Sequence, residues 1–97
     1  MAPVSAYSDY AVVYDISCDR ERARVDKALK GFGFRIQKSV FECRLSRRDR
    51  ERLVSRLNEM NIQSGFVKIY RLEYSFTGKI IGAAVEQSPD EGNAFVV

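Results

Sequence analysis

The 97-residue sequence contains no histidine and no tryptophan, and it has only two cysteines, Cys18 and Cys43. Without histidine, acid–base catalysis by imidazole is excluded, and so are Ser-His and Cys-His nucleophile pairs. The two cysteines form no CxxC pair, which excludes a zinc site of the usual kind. Any hydrolytic chemistry must therefore rest on carboxylates, arginines or a bound ion.

Long apolar runs are also missing. No stretch approaches the roughly 18 residues that a membrane span needs. The first ten residues, MAPVSAYSDY, have neither the basic segment nor the apolar run of a secretory leader. We therefore expect a cytoplasmic protein with reduced thiols and no membrane partner.

The length favours one domain, and the composition, 45% hydrophobic and 30% charged, is typical of globular proteins. A chain this short buries only about 60 to 70% of its unfolded surface. Association into a homodimer would therefore add to its core, and a shared interface could hold the active site.

The order of predicted elements is βαββαβ. Strand patterns cover residues 10–16 and 65–72, and residues 34–45 divide into two short strands around a turn at Lys38 and Ser39. We expect the first helix to be capped by Ser17 or Asp19 and to end at Gly31, and the second to run from a cap at Ser46 to Asn61.

This order predicts a ferredoxin-like α+β sandwich. Residues 1–9 are interpreted as an N-terminal extension, 10–85 as the domain with its core at 10–72, and 86–97 as an acidic tail. An extra C-terminal strand is predicted at about 79–85, where pairing with a second chain is an option. The expected apolar stripes of the helices consist of Ala23, Val25, Ala28, Leu29 and Phe32, then Leu53, Val54, Leu57 and Met60.

Positive charge is concentrated in the middle of the chain. Residues 20–56 hold thirteen Lys or Arg residues and five acids, a net charge of +8, whereas the whole chain carries +3. Arginine suits bidentate phosphate contacts, so the charge is compatible with a polyanionic partner such as nucleic acid, and equally with a solvated helix face. The residues expected to follow a phosphate backbone are Arg44, Arg47, Arg48, Arg50, Arg52 and Arg56.

The segment KGFGFRIQ at 30–37 nearly matches an RNA-recognition pattern in which strand aromatics stack on bases. In that module the motif lies on the third strand, whereas here it follows the first helix. Gly31 and Gly33 are therefore better explained by a helix stop and a turn, and Phe32 and Phe34 by the core.

Asp15 is the one charged residue in an otherwise apolar first strand. An acid near the carboxyl end of a strand is a common metal ligand, although a turn or capping aspartate is the simpler alternative. One carboxylate is too little to hold a divalent ion in a site made of protein ligands alone, since magnesium usually takes one or two carboxylates together with waters and phosphate oxygens. A two-fold axis near Asp15 would supply a second, which makes dimerisation part of the chemistry.

The sequences Tyr14-Asp15-Ile16 and RIQKSVFE at 35–42, together with Arg22 and Arg24, resemble the small CRISPR-associated adaptation proteins of the "Cas-two" family. The resemblance covers about residues 10–72. It implies a ferredoxin-like homodimer in which two copies of Asp15 share a Mg²⁺ ion. It also implies endonuclease activity on single-stranded RNA or double-stranded DNA, with Tyr14, Arg22, Arg24, Arg35 and Phe41 at the positions tied to activity.

The same resemblance implies a second role, as the central dimer that bridges the "Cas-one" integrase and holds a DNA protospacer during spacer acquisition. That role does not require cleavage. A stand-alone ribonuclease of the toxin type with the same fold is the alternative function, and a regulatory ligand-binding module is disfavoured by the charge of residues 20–56.

Overall fold

The computed structural model describes residues 7–72 and 79–83. Over these residues, the strands are β1 (Tyr7–Ile16), β2 (Gly33–Gln37), β3 (Val40–Ser46) and β4 (Gly65–Arg71), and the helices are α1 (Asp19–Lys30) and α2 (Arg47–Glu59). The strands form one antiparallel sheet in the order β2-β3-β1-β4. The element order and the sheet confirm the ferredoxin-like prediction.

Three of the four helix ends lie at residues whose side chain or backbone conformation favours starting or ending a helix. Ser46 caps α2 as predicted, since its hydroxyl accepts a hydrogen bond from the Asp49 N–H at 3.0 Å. The chain leaves α2 through Asn61, whose φ of 51° lies in the left-handed region that asparagine tolerates. Helix α1 ends at Gly31 as predicted.

The predicted cap of α1 was wrong. The residue before the helix is Cys18, and its side chain makes no capping hydrogen bond. The Cys18 N–H instead donates to the hydroxyl of Ser64, 2.9 Å away in the α2–β4 loop. Ser64, which is distant in sequence, therefore binds the backbone of the residue before α1 and does not cap the first turn of the helix.

One hydrophobic core lies between the sheet and the helices. Its buried members alternate along β1 and β3 and include Val25 and Leu29 of α1 and Leu53 and Leu57 of α2. Two residues of the predicted stripes are exposed, Ala23 and Val54. Ala23 is two residues before the buried Val25, and Val54 directly follows the buried Leu53. Because each residue advances about 100° around a helix, both side chains point away from the sheet.

The other side of the sheet is uncovered in the single chain. The register pairs Asp15 with Phe66 and Val13 with Lys68, so these side chains share one face. We call this surface the open sheet face and define it by Ala11, Val13, Asp15, Phe66, Lys68 and Tyr70. Phe66 and Tyr70 are 55% and 48% exposed, although the Lys68 ammonium lies over the Tyr70 ring at 4.9 Å, so about half of each aromatic side chain is open to solvent.

The start of the first strand and the state of residues 79–83 differ from the prediction. Strand β1 begins at Tyr7 rather than at residue 10, because Tyr7, Ser8 and Asp9 pair with the last residues of β3. Residues 79–83 lie in no strand, so the predicted extra strand is absent there. Residues 84 and 85 and the tail at 86–97 lie outside the described residues, and pairing with a second chain stays a prediction. None of the described helices is long and apolar enough to cross a membrane.

Candidate metal and nucleic-acid site

Asp15 lies near the end of β1, on the open sheet face. Its side chain is exposed and has no hydrogen bond or ion pair with another described residue. The neighbouring backbone is well fixed, because Asp15 and Ile16 pair with Phe66 and Gly65 of β4. A rigid strand therefore presents a carboxylate that is available to a ligand from outside the chain.

The carboxylate of Asp15 is a ligand type that suits Mg²⁺, but the described residues place too few further ligands beside it. Residues 7–72 and 79–83 contain no group of three metal-ligating side chains. Magnesium is usually held by one or two carboxylates together with waters and phosphate oxygens. Further ligands for a Mg²⁺ ion at Asp15 would therefore come from outside the described residues, and a second copy of the chain or a nucleic-acid phosphate could supply them.

Strands β1 and β4 approach closely beside Asp15. A Cβ atom on Gly65 would lie 1.8 Å from the carbonyl oxygen of Asp15 and 2.9 Å from the Cα of Ile16. Both are backbone atoms and cannot move aside as a flexible side chain does. Only glycine is compatible with this pairing at position 65.

A set of hydrogen bonds, the Glu21–Ser64 clasp, ties α1 to the loop before β4. The Glu21 carboxylate accepts from the N–H groups of Gln63 and Ser64 at 3.0 Å each, and from the Ser64 hydroxyl at 2.6 Å. The Ser64 carbonyl accepts from the N–H of Ser17 at 3.1 Å. The clasp thus fixes both segments that flank the Asp15 end of the sheet.

The clasp predicts a pH dependence of stability. Hydrogen bonds, first that of the Ser64 hydroxyl, hold the pKa of Glu21 below its ordinary value of 4.5. Because the folded-state pKa is lowered, the stabilisation is present above pH 4.5 and is lost as the pH falls through the lowered pKa. We expect Glu21→Gln to reduce Tm near neutral pH, with a difference from wild type that shrinks below pH 4.5. Glu59→Gln, at an exposed position on α2, serves as the control, and a difference that stays constant with pH would contradict the account.

Tyr14, Arg35 and Phe41 form a cluster on the helix side of the sheet, away from Asp15. The hydroxyl of Tyr14 donates to the carboxylate of Asp26. Arg35 pairs with the same carboxylate at 3.1 Å, and its guanidinium lies 5.3 Å from the centre of the Phe41 ring. The six candidates for the catalytic site are therefore divided between the two faces of the sheet.

Within the described chain, the contacts of this cluster join α1 to the sheet, and the catalytic roles expected for Tyr14, Arg35 and Phe41 stay predictions. Burial, then the hydrogen bond to Asp26, raises the pKa of Tyr14, so the phenol stays protonated near neutral pH. Asp26 was not foreseen from the sequence. The sequence does contain an indication of its role: Asp26 directly follows the buried Val25, so it lies next to the side of α1 that faces the sheet.

Two substitutions of Phe41 can distinguish a structural role of this side chain from a direct role in cleavage. Phe41 is fully buried, and replacing a buried Phe by Ala costs about 3 to 5 kcal/mol. We expect Phe41→Ala to lose nucleic-acid binding and any cleavage through unfolding, whereas Phe41→Leu keeps both. Thermal unfolding run beside the activity assay measures this; a folded Phe41→Leu protein without cleavage would show that the ring itself takes part.

Arg22 and Arg24 differ in their surroundings. Arg22 donates to the carbonyl of Ile16 at 2.7 Å and pairs with Asp19, which places it beside the residue that follows Asp15. Arg24 is exposed and has no hydrogen bond or ion pair with a described residue. The catalytic roles expected for both stay predictions.

The arginines of β3 and α2 are mostly exposed. Their ion pairs are Arg44 with Asp9 at 2.9 Å, Arg47 with Glu51 at 3.7 Å, and Arg52 with Asp49 at 3.3 Å. Exposed pairs of this kind contribute at most about 1 kcal/mol. Arg50 differs, since its Nε is buried without a hydrogen-bond partner. The guanidinium groups of the exposed arginines are therefore free to exchange a carboxylate for a phosphate.

The comparisons with known proteins agree with this fold. The family model described as CRISPR associated protein Cas2 matches residues 9–78. A CRISPR-associated endoribonuclease Cas2 from Mycobacterium tuberculosis H37Rv is 41% identical over 61 residues, which are 63% of this chain but only 54% of that protein. This match thus spans about half of the relative's length.

Two solved structures extend the comparison. A hypothetical protein from Thermus thermophilus, TT1823, superposes with a TM-score of 0.72 at 32% identity and covers 80% of this chain and 94% of that one. A chain in a partial Cas6-RT-Cas1–Cas2 complex gives a TM-score of 0.60 at 28% identity, over 69% of this chain and 75% of that one. With the family model matching most of its length, the chain belongs to the CRISPR-associated Cas2 family.

Proposed function

We propose that two copies of this chain form a nucleic-acid-binding adaptor for spacer acquisition, with a Mg²⁺-dependent endonuclease centre at the paired Asp15 residues. The observation that carries the proposal is the unpartnered carboxylate of Asp15 at the edge of an uncovered, partly apolar sheet face. Family membership and the basic arginines of β3 and α2 support it.

The open sheet face is suited to a second copy of the chain. Phe66 and Tyr70 are exposed beside the half-buried Val13, and covering such apolar area contributes about 25 cal/mol per Å². If the two-fold axis passes near the end of β1, the two Asp15 carboxylates face one another. Each chain then supplies one of the two carboxylates that a shared ion needs.

The chain's own residues can supply part of a phosphodiester cleavage. When bound, Mg²⁺ would neutralise charge on the phosphate group and activate the attacking water. Arg22 and Arg24 lie on the first turns of α1, after the strand that carries Asp15, and are proposed to bind phosphate oxygens and stabilise the added charge of the transition state. Single-stranded RNA and double-stranded DNA are the proposed substrates, and the endoribonuclease name of the relatives favours RNA.

As an adaptor, the protein would bind duplex DNA through phosphates, without reading bases. We expect Arg47→Gln with Arg48→Gln to lower the affinity for two unrelated duplexes by the same factor. Two lost phosphate contacts would also make the slope of log K against log salt less negative by about 1.8. Fluorescence anisotropy over a salt series measures both; a loss confined to one sequence would contradict a backbone-binding role.

The adaptor role also predicts a protein partner. One solved relative lies in a complex with Cas1, and we propose that this chain likewise binds an integrase of that family. Co-purification of the two proteins tests this. A toxin-type ribonuclease needs no such partner, so cleavage of RNA without integrase binding would favour that alternative function.

A further inference from the structure

Ser64, in the loop between α2 and β4, directs its polar groups toward the two residues that connect β1 to α1. Its hydroxyl donates to the Glu21 carboxylate at 2.6 Å and accepts from the Cys18 N–H at 2.9 Å. Its N–H donates to the same carboxylate at 3.0 Å, and its carbonyl accepts from the N–H of Ser17 at 3.1 Å. This one residue therefore binds the whole connection and the first turn of α1.

The connection follows directly on the end of β1 that presents Asp15. Ile16 pairs with Gly65 of β4, and the bond from Ser17 to Ser64 extends this antiparallel pairing by one residue. Only Ile16 and Ser17 separate Asp15 from Cys18, whose N–H is bound by the Ser64 hydroxyl. A displacement of Ser64 would therefore reach Asp15 through a short, continuously hydrogen-bonded piece of backbone.

Helix α1 is bound to the same end of the strand. Glu21 accepts the hydrogen bonds of the loop, and the adjacent Arg22 donates to the carbonyl of Ile16 at 2.7 Å. The first turn of α1 thus contacts both the last residue of β1 and the residue before β4. The same contacts set the position of Asp15 relative to Arg22, which is proposed above to bind phosphate.

The Ser64 hydroxyl differs from the backbone groups of the same residue. It joins the Cys18 N–H and the Glu21 carboxylate in one chain of hydrogen bonds, and the members of such a chain strengthen one another. Removal of this hydroxyl would leave the bond from Ser17 to the Ser64 carbonyl in place. The side chain can therefore be tested separately from the strand pairing.

A carboxylate that helps to hold a metal ion has to be placed accurately. Residues that orient a metal ligand without touching the ion change metal affinity or activity about 10- to 100-fold when they are replaced. We propose that Ser64 is a positioning residue for Asp15, because its hydroxyl fixes the end of β1 from which the Asp15 carboxylate meets that of a second copy. The inference rests on the proposed function and adds to it a residue that binds neither metal nor nucleic acid.

The test compares Ser64→Ala, which removes the hydroxyl, with Ser64→Thr, which keeps it. Calorimetric titration with Mg²⁺ alone measures the affinity of each folded variant. We expect Ser64→Ala to bind Mg²⁺ about tenfold more weakly than wild type, and Ser64→Thr to bind it with nearly the wild-type affinity. Ser55→Ala, which removes a hydroxyl from an exposed position on α2, is the matched control and should leave the affinity unchanged.

Two further measurements separate positioning from a loss of stability. In Ser64→Ala, the Cys18 amide should exchange its hydrogen faster, whereas the Ser17 amide should keep its protection. In an Asp15→Asn background, Ser64→Ala should lower Tm as it does in wild type but reduce cleavage no further, because the two changes act on one site. A purely structural role would leave the Mg²⁺ affinity of the folded variant at the wild-type value.

A second variant keeps the inference testable if Ser64→Ala does not fold. Glu21→Gln weakens the same hydrogen bonds from the other end and should lower the Mg²⁺ affinity in the same direction. Wild-type affinity in folded Ser64→Ala, or in Glu21→Gln when Ser64→Ala is unfolded, would overturn the inference and leave the proposed function standing. If the wild-type protein bound no Mg²⁺, the proposed metal centre would fail and the inference with it, which is a distinct result.

Discussion

Asp15→Asn is expected to lower Mg²⁺-dependent cleavage by about 100-fold or more while leaving the fold and nucleic-acid binding intact. A catalytic ion supplies several kcal/mol of transition-state stabilisation, and each 1.36 kcal/mol is a factor of ten in rate. Because the Asp15 side chain is exposed and has no partner among the described residues, the change of one oxygen to an amide removes no contact within the chain. Cleavage of labelled RNA and duplex DNA, with Mg²⁺ or with chelator, measures the effect.

Glu59→Gln is the matched control, since it also removes one carboxylate from an exposed position. It should cleave at the wild-type rate. Full activity of Asp15→Asn, or undiminished wild-type cleavage in excess chelator, would contradict a metal centre at Asp15. If neither protein cuts but both bind DNA and integrase, the function is architectural.

Gly65→Ala is expected to destabilise the protein severely. The new Cβ would meet the Asp15 carbonyl oxygen at 1.8 Å, so β4 must separate from the end of β1. Overpacking of this kind costs about 1 to 3 kcal/mol or more, and each kcal/mol lowers Tm by about 4 to 8 °C in a domain of this size. We therefore expect Tm to fall by about 10 °C or more, with weaker Mg²⁺ binding, because Asp15 is displaced.

Gly31→Ala provides the control for the loss of a glycine. A Cβ at Gly31 would lie 3.4 Å from its nearest neighbour, the carbonyl oxygen of Ala28, and its φ of −84° suits alanine. This variant should unfold within a few degrees of wild type. Equal Tm values for the two variants would show that β1 and β4 are not packed as described.

The fold was predictable because each element carries its own signal. Ser46 precedes α2 with Asp49 three residues later, and the alternation of Phe66 to Leu72 requires a strand. The predicted element order agrees with the structure at every position from β1 to β4. The start of β1 was predicted three residues late because its first residues, Tyr7 to Asp9, are held by pairing with β3, a long-range contact that leaves no local pattern.

The site was only partly predictable, for the same reason. Asp15 stands out as a charge in an apolar strand, and strand alternation alone places it opposite to Tyr14. Asp26 and the Glu21–Ser64 clasp were missed, because they join residues 12 and 43 positions apart. Phe41, in contrast, was predicted from its motif to lie in the catalytic site, and the structure places it in the core.

The most direct test of the account is the stoichiometry of Mg²⁺ binding by the wild-type protein, measured by calorimetric titration beside its mass in solution. If the two Asp15 carboxylates share a metal, the protein is a dimer that binds one ion per two chains, and the binding is lost in Asp15→Asn. Binding of one ion per chain, or binding that persists in Asp15→Asn, would show that the two Asp15 carboxylates do not share a metal.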